Sequence, residues 1–250
     1  MTSGGTATIQ SLPPRVTAYA AGMAARLHAL TVLASDPARL ASFWGDLLGW
    51  ERSGLDLLPD ADAPMRLSFE HADLPHDLLN QIHFHLTSYT ASQQANVDRA
   101  LSLGATHLDV GQLPEEAHVV LADPEGNEFC VIEETNNWLA GMGFLGEIAC
   151  DGTREVGVFW SAALDWPLLH DEDGETGIQP PGGGMWIAWG GPPLNERAPR
   201  NRMHFVLAAS GDLDAEVDRL VALGAAVLAR TGDEARLTDP DGNELVLRAG

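Results

Sequence analysis

The six residues Asp123-Pro124-Glu125-Gly126-Asn127-Glu128 return as Asp239-Pro240-Asp241-Gly242-Asn243-Glu244, about 116 residues further on. Each copy is preceded by Leu-Gly-Ala (Leu103-Gly104-Ala105; Leu223-Gly224-Ala225), by a histidine (His83; His204) and by an aromatic pair (Phe43-Trp44; Phe159-Trp160). Four landmarks in one order, twice over, mark an internal duplication. The fold is therefore constrained to two copies of one unit, each of a size that forms a domain with its own core.

Within each unit the hydrophobic pattern alternates between strand and helix periods. Leu27–Ala34 reads as a buried strand. Ser35 or Asp36 caps a helix with Pro37 in its first turn, and Leu40, Phe43, Trp44, Leu47 and Leu48 follow at helical spacing up to Gly49. Met65–His71 and Gln81–Thr87 alternate as half-buried strands do, and a second helix covers Ala91–Leu103. His118–Ala122 and Glu128–Glu133 are strands around the Asp-Pro-Glu-Gly-Asn turn. After Thr135–Gly143 the order recurs: strand Leu145–Cys150, helix Glu155–Leu164, strands Met185–Trp189 and Met203–Ala208, helix Asp214–Leu223, and Arg236–Thr238 and Glu244–Arg248 about the second turn. The expected division is an extension over 1–26, with a short helix from Val16 to Arg26, a first domain over 27–134, a linker over 135–143 and a second domain over 144–248.

The aromatic pair, the helix ends Leu48-Gly49-Trp50 and Leu164-Asp165-Trp166, the Leu-Gly-Ala step and the Asp-Pro-x-Gly-Asn-Glu turn together resemble the vicinal oxygen chelate superfamily, in its glyoxalase-like and bleomycin-resistance-like branch. The resemblance spans residues 27 to 248. It implies an α+β fold of four βαβββ modules, paired so that curved sheets form two cup-shaped half-barrel cavities. It also implies a choice among metal-dependent isomerases, lyases and dioxygenases, thiol transferases and metal-free binding proteins, because a shared fold does not carry a shared activity.

Metal-using members take histidines from the first strands of two modules and a Glu from a last strand. That pattern places His28 and His83 in the first copy, but Cys130 stands where the Glu is expected. Glu70 could replace it in a His28, His83, Glu70 set, or Cys130 could ligate as thiolate, which favours zinc or another softer ion. A divalent metal (Fe, Mn, Ni or Zn) is thus expected in the first domain if one is used at all. In the second copy His204 matches His83, Val246 occupies the final position, and Glu147 stands where a His is usual. Trp186 and Trp189 give that region an aromatic wall suited to a bound molecule. His85 shares a strand face with His83, so His83, His85 and Cys130 are the candidates for acid, base or nucleophile. His71, His76, His107, His118 and His170 show no partner pattern and read mostly as surface residues.

With 36 acidic against 14 basic residues the formal charge is -22, which repels phosphate backbones and anionic lipid. No apolar run is long enough for a membrane span and no secretory signal opens the chain, so the expected location is cytoplasmic, with no nucleic-acid or membrane partner. The partner is a small molecule, and the chain is a monomer or a homodimer. Three functions stay open: a protein that binds or sequesters a drug or metabolite, a lyase, isomerase or dioxygenase with one metal in the first domain, and a metal-free acid–base enzyme of secondary metabolism.

Overall fold

A computed structural model describes residues 24–59, 63–113 and 115–250. The expected helix from Val16 to Arg26 falls largely outside them, and Arg26 itself opens a strand. The described chain forms four modules of one strand, one helix and three strands. The first is β1 (Arg26–Ala34), α1 (Pro37–Leu48), β2 (Glu51–Ser53), β3 (Asp56–Leu58) and β4 (Arg66–His71). The second is β5 (Ile82–Leu86), α2 (Gln93–Leu103), β6 (Thr106–His107), β7 (Val119–Ala122) and β8 (Glu128–Val131). The third is β9 (Leu145–Cys150), α3 (Arg154–Leu164), β10 (Leu168–Glu172), β11 (Glu175–Ile178) and β12 (Trp186–Trp189). The fourth is β13 (Met203–Ala208), α4 (Leu213–Leu223), β14 (Ala226–Arg230), β15 (Glu234–Thr238) and β16 (Glu244–Arg248).

Helix boundaries follow from local chemistry. Asp36 caps α1 by accepting from Arg39 N, and Pro37 fills the first turn, where its missing N–H costs nothing. Ser92 and Asp212 cap α2 and α4 in the same way. Gly49 and Gly104 end α1 and α2 at positive φ, whereas α3 ends on Asp165 at φ 54, a conformation Asp tolerates better than most side chains.

The modules join into two open eight-stranded sheets, in the orders β14-β15-β16-β13-β1-β4-β3-β2 and β10-β11-β12-β9-β5-β8-β7-β6. The first module therefore shares a sheet with the fourth, and the second with the third. At each centre the opening strands of two modules run antiparallel, β1 with β13 and β5 with β9. Each sheet is thus made of one module from each copy, and the cavity on each sheet is lined by residues of both copies.

What holds the two modules of one copy together is the repeated turn. Trp44 on α1 is fully buried and packs edge-on against Phe84 and Phe129, with centroids 4.8 and 5.0 Å away. Its indole N–H donates to Asp123 Oδ2 at 3.1 Å, and in the second copy Trp160 donates to Asp239 Oδ2 at 3.4 Å. The next acidic residue of each turn reaches the start of the helix: Glu125 accepts from the Ser35 and Asp36 N–H groups, and Asp241 from Thr153 N and Oγ1. Both tryptophans are core residues, as their helical spacing predicts, and the turn is conserved between copies because it ties the second module's strands to the first module's helix. Both cysteines are buried and free. No helix among the described residues is long and apolar enough to cross a membrane.

Glu128, the last residue of the first turn, accepts from Asn80 N and, at 3.0 Å, from Asn80 Nδ2. Burial pushes its carboxyl up to about 7, against the lowering effect of those bonds, and Asp123 adds to the rise. The folded chain then holds a proton that the unfolded chain releases near 4.5, so this contribution to stability is complete below that pH and is lost as the pH rises through 7. Thermal unfolding between pH 5 and pH 8 is expected to show a smaller fall in Tm for Glu128→Gln than for the parent; equal slopes would refute the assignment.

Candidate functional site

On the second sheet the strand register sets four side chains in one row. His85 on β5 lies beside Cys130 on β8 and opposite Glu147 on β9, and Glu147 lies beside Trp186 on β12. Side chains alternate between the faces of a strand, so His83, two residues before His85, shares this face. The row is in register because β9 carries one extra residue, Gly146, between the partners of His85 and Leu86. Only glycine fits there, since a Cβ would stand 2.5 Å from Thr87 Cγ2.

Of these residues His83, His85 and Glu147 line a cavity of about 700 Å³, with Trp138 beside them. Glu147 is buried and uses both oxygens: Oε2 lies 2.6 Å from His85 Nδ1, and Oε1 accepts from Trp138 Nε1 at 2.9 Å. His85 Nε2 lies 3.0 Å from His83 Nε2. Burial disfavours a charge on His85, but hydrogen bonds to Cys130 and Glu147 and the Glu147 charge outweigh it and raise its pKa to about 10. His83 moves the other way, to about 3, through burial and then the charges of His85 and His118. The pair thus holds one proton between its Nε2 atoms, donated by His85. The ligand atoms of His83, His85 and Cys130 all lie within 4.8 Å of one another, a grouping able to hold a metal ion. Two imidazoles and a thiol suit a borderline-soft ion such as zinc, and the Glu147 contact with the far nitrogen of His85 is the usual orienting partner of a metal-bound histidine.

The first sheet carries the same row in the same register, with different side chains. Val246, Val206, Ala29 and Arg66 replace Cys130, His85, Glu147 and Trp186. Ala29, Val206 and Val246 form a small apolar cluster, and the cavity beside it is only about 180 Å³. That space is crossed by ion pairs, Arg236 with Glu244 at 2.9 Å and Arg248 with Glu234 at 2.9 Å. Its histidine, His204, is held near 4 by burial and by Arg236, Arg200 and Arg248.

Of the sequence candidates, the structure brings His83, His85 and Cys130 together and sets Trp186 in their row across the boundary between copies, while Trp189, on the opposite face of β12, is packed in the core and borders the cavity. It does not bring His28 or Glu70 to them. Both lie on the first sheet, so a His28, His83, Glu70 ligand set does not form. His28 is moreover the extra residue of a bulge in β1, and the row position passes to Ala29. Glu70 sits by the smaller cavity with His204, 3.9 Å from Arg248. His118 and His170, read as surface residues, line the larger cavity. Glu147 was visible on β9, but its partner was not, because the opposing strand belongs to the other copy. Trp138 gave no signal, since it lies in the linker between repeats and has no counterpart to compare.

The glyoxalase-like domain family matches residues 29–132 and again 147–247. No curated protein sequence matches the chain. Among solved structures, glyoxalase I from Zea mays aligns with a TM-score of 0.57 at 14% identity, over 90% of this chain and 92% of that one. A putative dioxygenase from Bacillus subtilis subsp. subtilis str. 168 aligns with a TM-score of 0.53 at 13% identity, over 92% and 86%. At these identities the structures share the fold, and the two family matches, which take up most of the sequence, show that this chain belongs to the glyoxalase-like domain family.

Proposed function

We propose that this chain binds a small organic molecule in the cavity of the second sheet, against a single metal centre formed by His83, His85 and Cys130. The observation that carries this reading is the convergence of two imidazole nitrogens and a thiol within 4.8 Å, with Glu147 holding the far side of His85. Zinc or another ion that accepts sulfur fits this donor set better than magnesium or manganese. Such an ion supplies a Lewis acid for an oxygen of the bound molecule. The chain's own part is to aim His85 through Glu147, to exclude water with the buried sheet floor, and to seat the ligand body against the indoles of Trp138 and Trp189. The shared fold with maize glyoxalase I supports a small-molecule site on a paired sheet.

A second reading, a metal-free acid–base site, has one observation in its favour: the Nε2 atoms of His83 and His85 are 3.0 Å apart with pKa values displaced in opposite directions. Metal content separates the two. Protein reconstituted in turn with Zn(II), Fe(II), Ni(II) and Mn(II) and analysed by plasma mass spectrometry is expected to hold one Zn(II) per chain and the least Mn(II). His83→Ala or Cys130→Ser should weaken binding by more than the roughly 10- to 100-fold typical of losing an outer partner. His28→Ala, on the other sheet, should leave it unchanged. Metal-free protein under all four conditions would overturn the metal reading in favour of the acid–base one.

The cavity also selects by charge. Glu116, Glu133, Asp151 and Glu175 line it besides the Glu147 paired with His85, and among the described residues no arginine does. In the metal-free protein a cationic or neutral ligand is therefore favoured over an anionic one, most strongly at low salt. In tryptophan-quenching titrations of the metal-free protein, an aromatic amine should bind about fivefold or more tightly than its carboxylate analogue at low ionic strength, with the gap narrowing as salt is added. Tighter binding of the carboxylate would contradict this.

A further inference from the structure

The segment between the two copies enters the site. Between β8 and β9 the chain turns through residues 135–143, anchored by Leu139, which is almost fully buried and whose N–H donates to Asn136 Oδ1 at 3.1 Å. This anchor sets Trp138 face to face with Trp186, with centroids 4.3 Å apart and planes 22° from parallel. The edge of His170 meets the same ring at 5.0 Å. Gly177 makes room for the stack: a Cβ there would come within 3.1 Å of Trp186 and 3.2 Å of Trp138. The indole N–H is thereby aimed at Glu147 Oε1, while Oε2 of the same carboxylate takes His85 Nδ1.

We infer that Trp138 is a positioning residue of this site. It acts through Glu147 to fix the orientation and proton position of His85, so that Nε2 points at His83 and Cys130. A carboxylate with one oxygen held by a rigid donor cannot turn to bind the ligand or the ion itself, and it remains the outer partner of the histidine. Packing alone would need the indole faces and not the N–H. The linker occurs once in a duplicated chain, and the corresponding row on the first sheet has Ala29 in place of Glu147, with no carboxylate for such a donor to hold. One inter-repeat segment thus distinguishes the working cavity from its structural twin. This inference rests on the assignment of the second-sheet cavity as the functional site, but not on the presence of metal.

Trp138→Phe keeps a ring on Trp186 and removes the donor. In the metal-free protein, the Nδ1–H proton resonance of His85, assigned by its loss in His85→Gln, should exchange with solvent at least about fivefold faster in Trp138→Phe, in protein that still unfolds in one cooperative transition. In parallel, affinity for Zn(II) should fall by about 10-fold, within the range for loss of an outer-shell partner. If the parent binds no metal, the metal centre is refuted while the proton-exchange comparison still decides the role of Trp138. An unchanged exchange rate overturns the inference, whatever the metal result. Should phenylalanine disturb the stack or the fold, benzothienylalanine at position 138 replaces only the N–H with sulfur, and the same comparison applies.

Discussion

The antiparallel pairing of opening strands from different copies is the contact on which the rest of the structure depends. β5 against β9 sets His85 opposite Glu147, and the equivalent pairing of β1 with β13 sets Ala29 opposite Val206. Because backbone hydrogen bonds fix this register, a single residue inserted on one side decides which side chains meet. Gly146 and His28 are those insertions, one in each sheet, and both push the following residue into the central row.

The duplicated geometry gives each half of the molecule an internal control for the other. Both sheets share strand order, central register and bulge position, yet their central rows have opposite chemical character. One row collects a thiol, an imidazole and a buried carboxylate and opens into a large cavity; the other is closed by valines, alanine and arginine–glutamate pairs. Buried polar groups are costly unless satisfied, and the His85–Glu147–Trp138 chain on the second sheet, whose hydrogen bonds satisfy both oxygens of Glu147, supports the proposed placing of the site there. Among the described residues the arginines are distributed in the same sense: Arg200, Arg236 and Arg248 line the small cavity and none lines the large one.

Much of the local structure was legible in the sequence. The four helices, the central strands and the repeated turn follow from period, caps and proline placement, and they lie within a few residues of the positions the pattern predicts. The short hairpin strands β2–β3 and β10–β11 were missed, since runs of three to five residues are too short to show alternation, whether exposed like β2 or buried like most of β11. The partners of each sheet were hidden for a different reason: local pattern says that a strand has a buried face, not which distant strand lies beside it. That gap grouped His28 and Glu70, which lie on the first sheet, with His83 of the second, whereas His83, His85 and Cys130 sit on neighbouring strands of one module and do meet. Trp138 was beyond reach because a lone residue in a linker has neither periodicity nor a repeat to betray it.

The exchange of modules between copies also bears on how such a chain can change over time. A duplicated domain is commonly thought of as a spare, free to drift while its twin keeps working. Here the imidazoles and thiol come from the first copy, whereas the carboxylate and the stacked indole of β12 come from the second. For the proposed site neither copy is sufficient alone: each gives one module to the polar row and one to the apolar row, so the chemical division of the molecule follows its sheets and not its repeats.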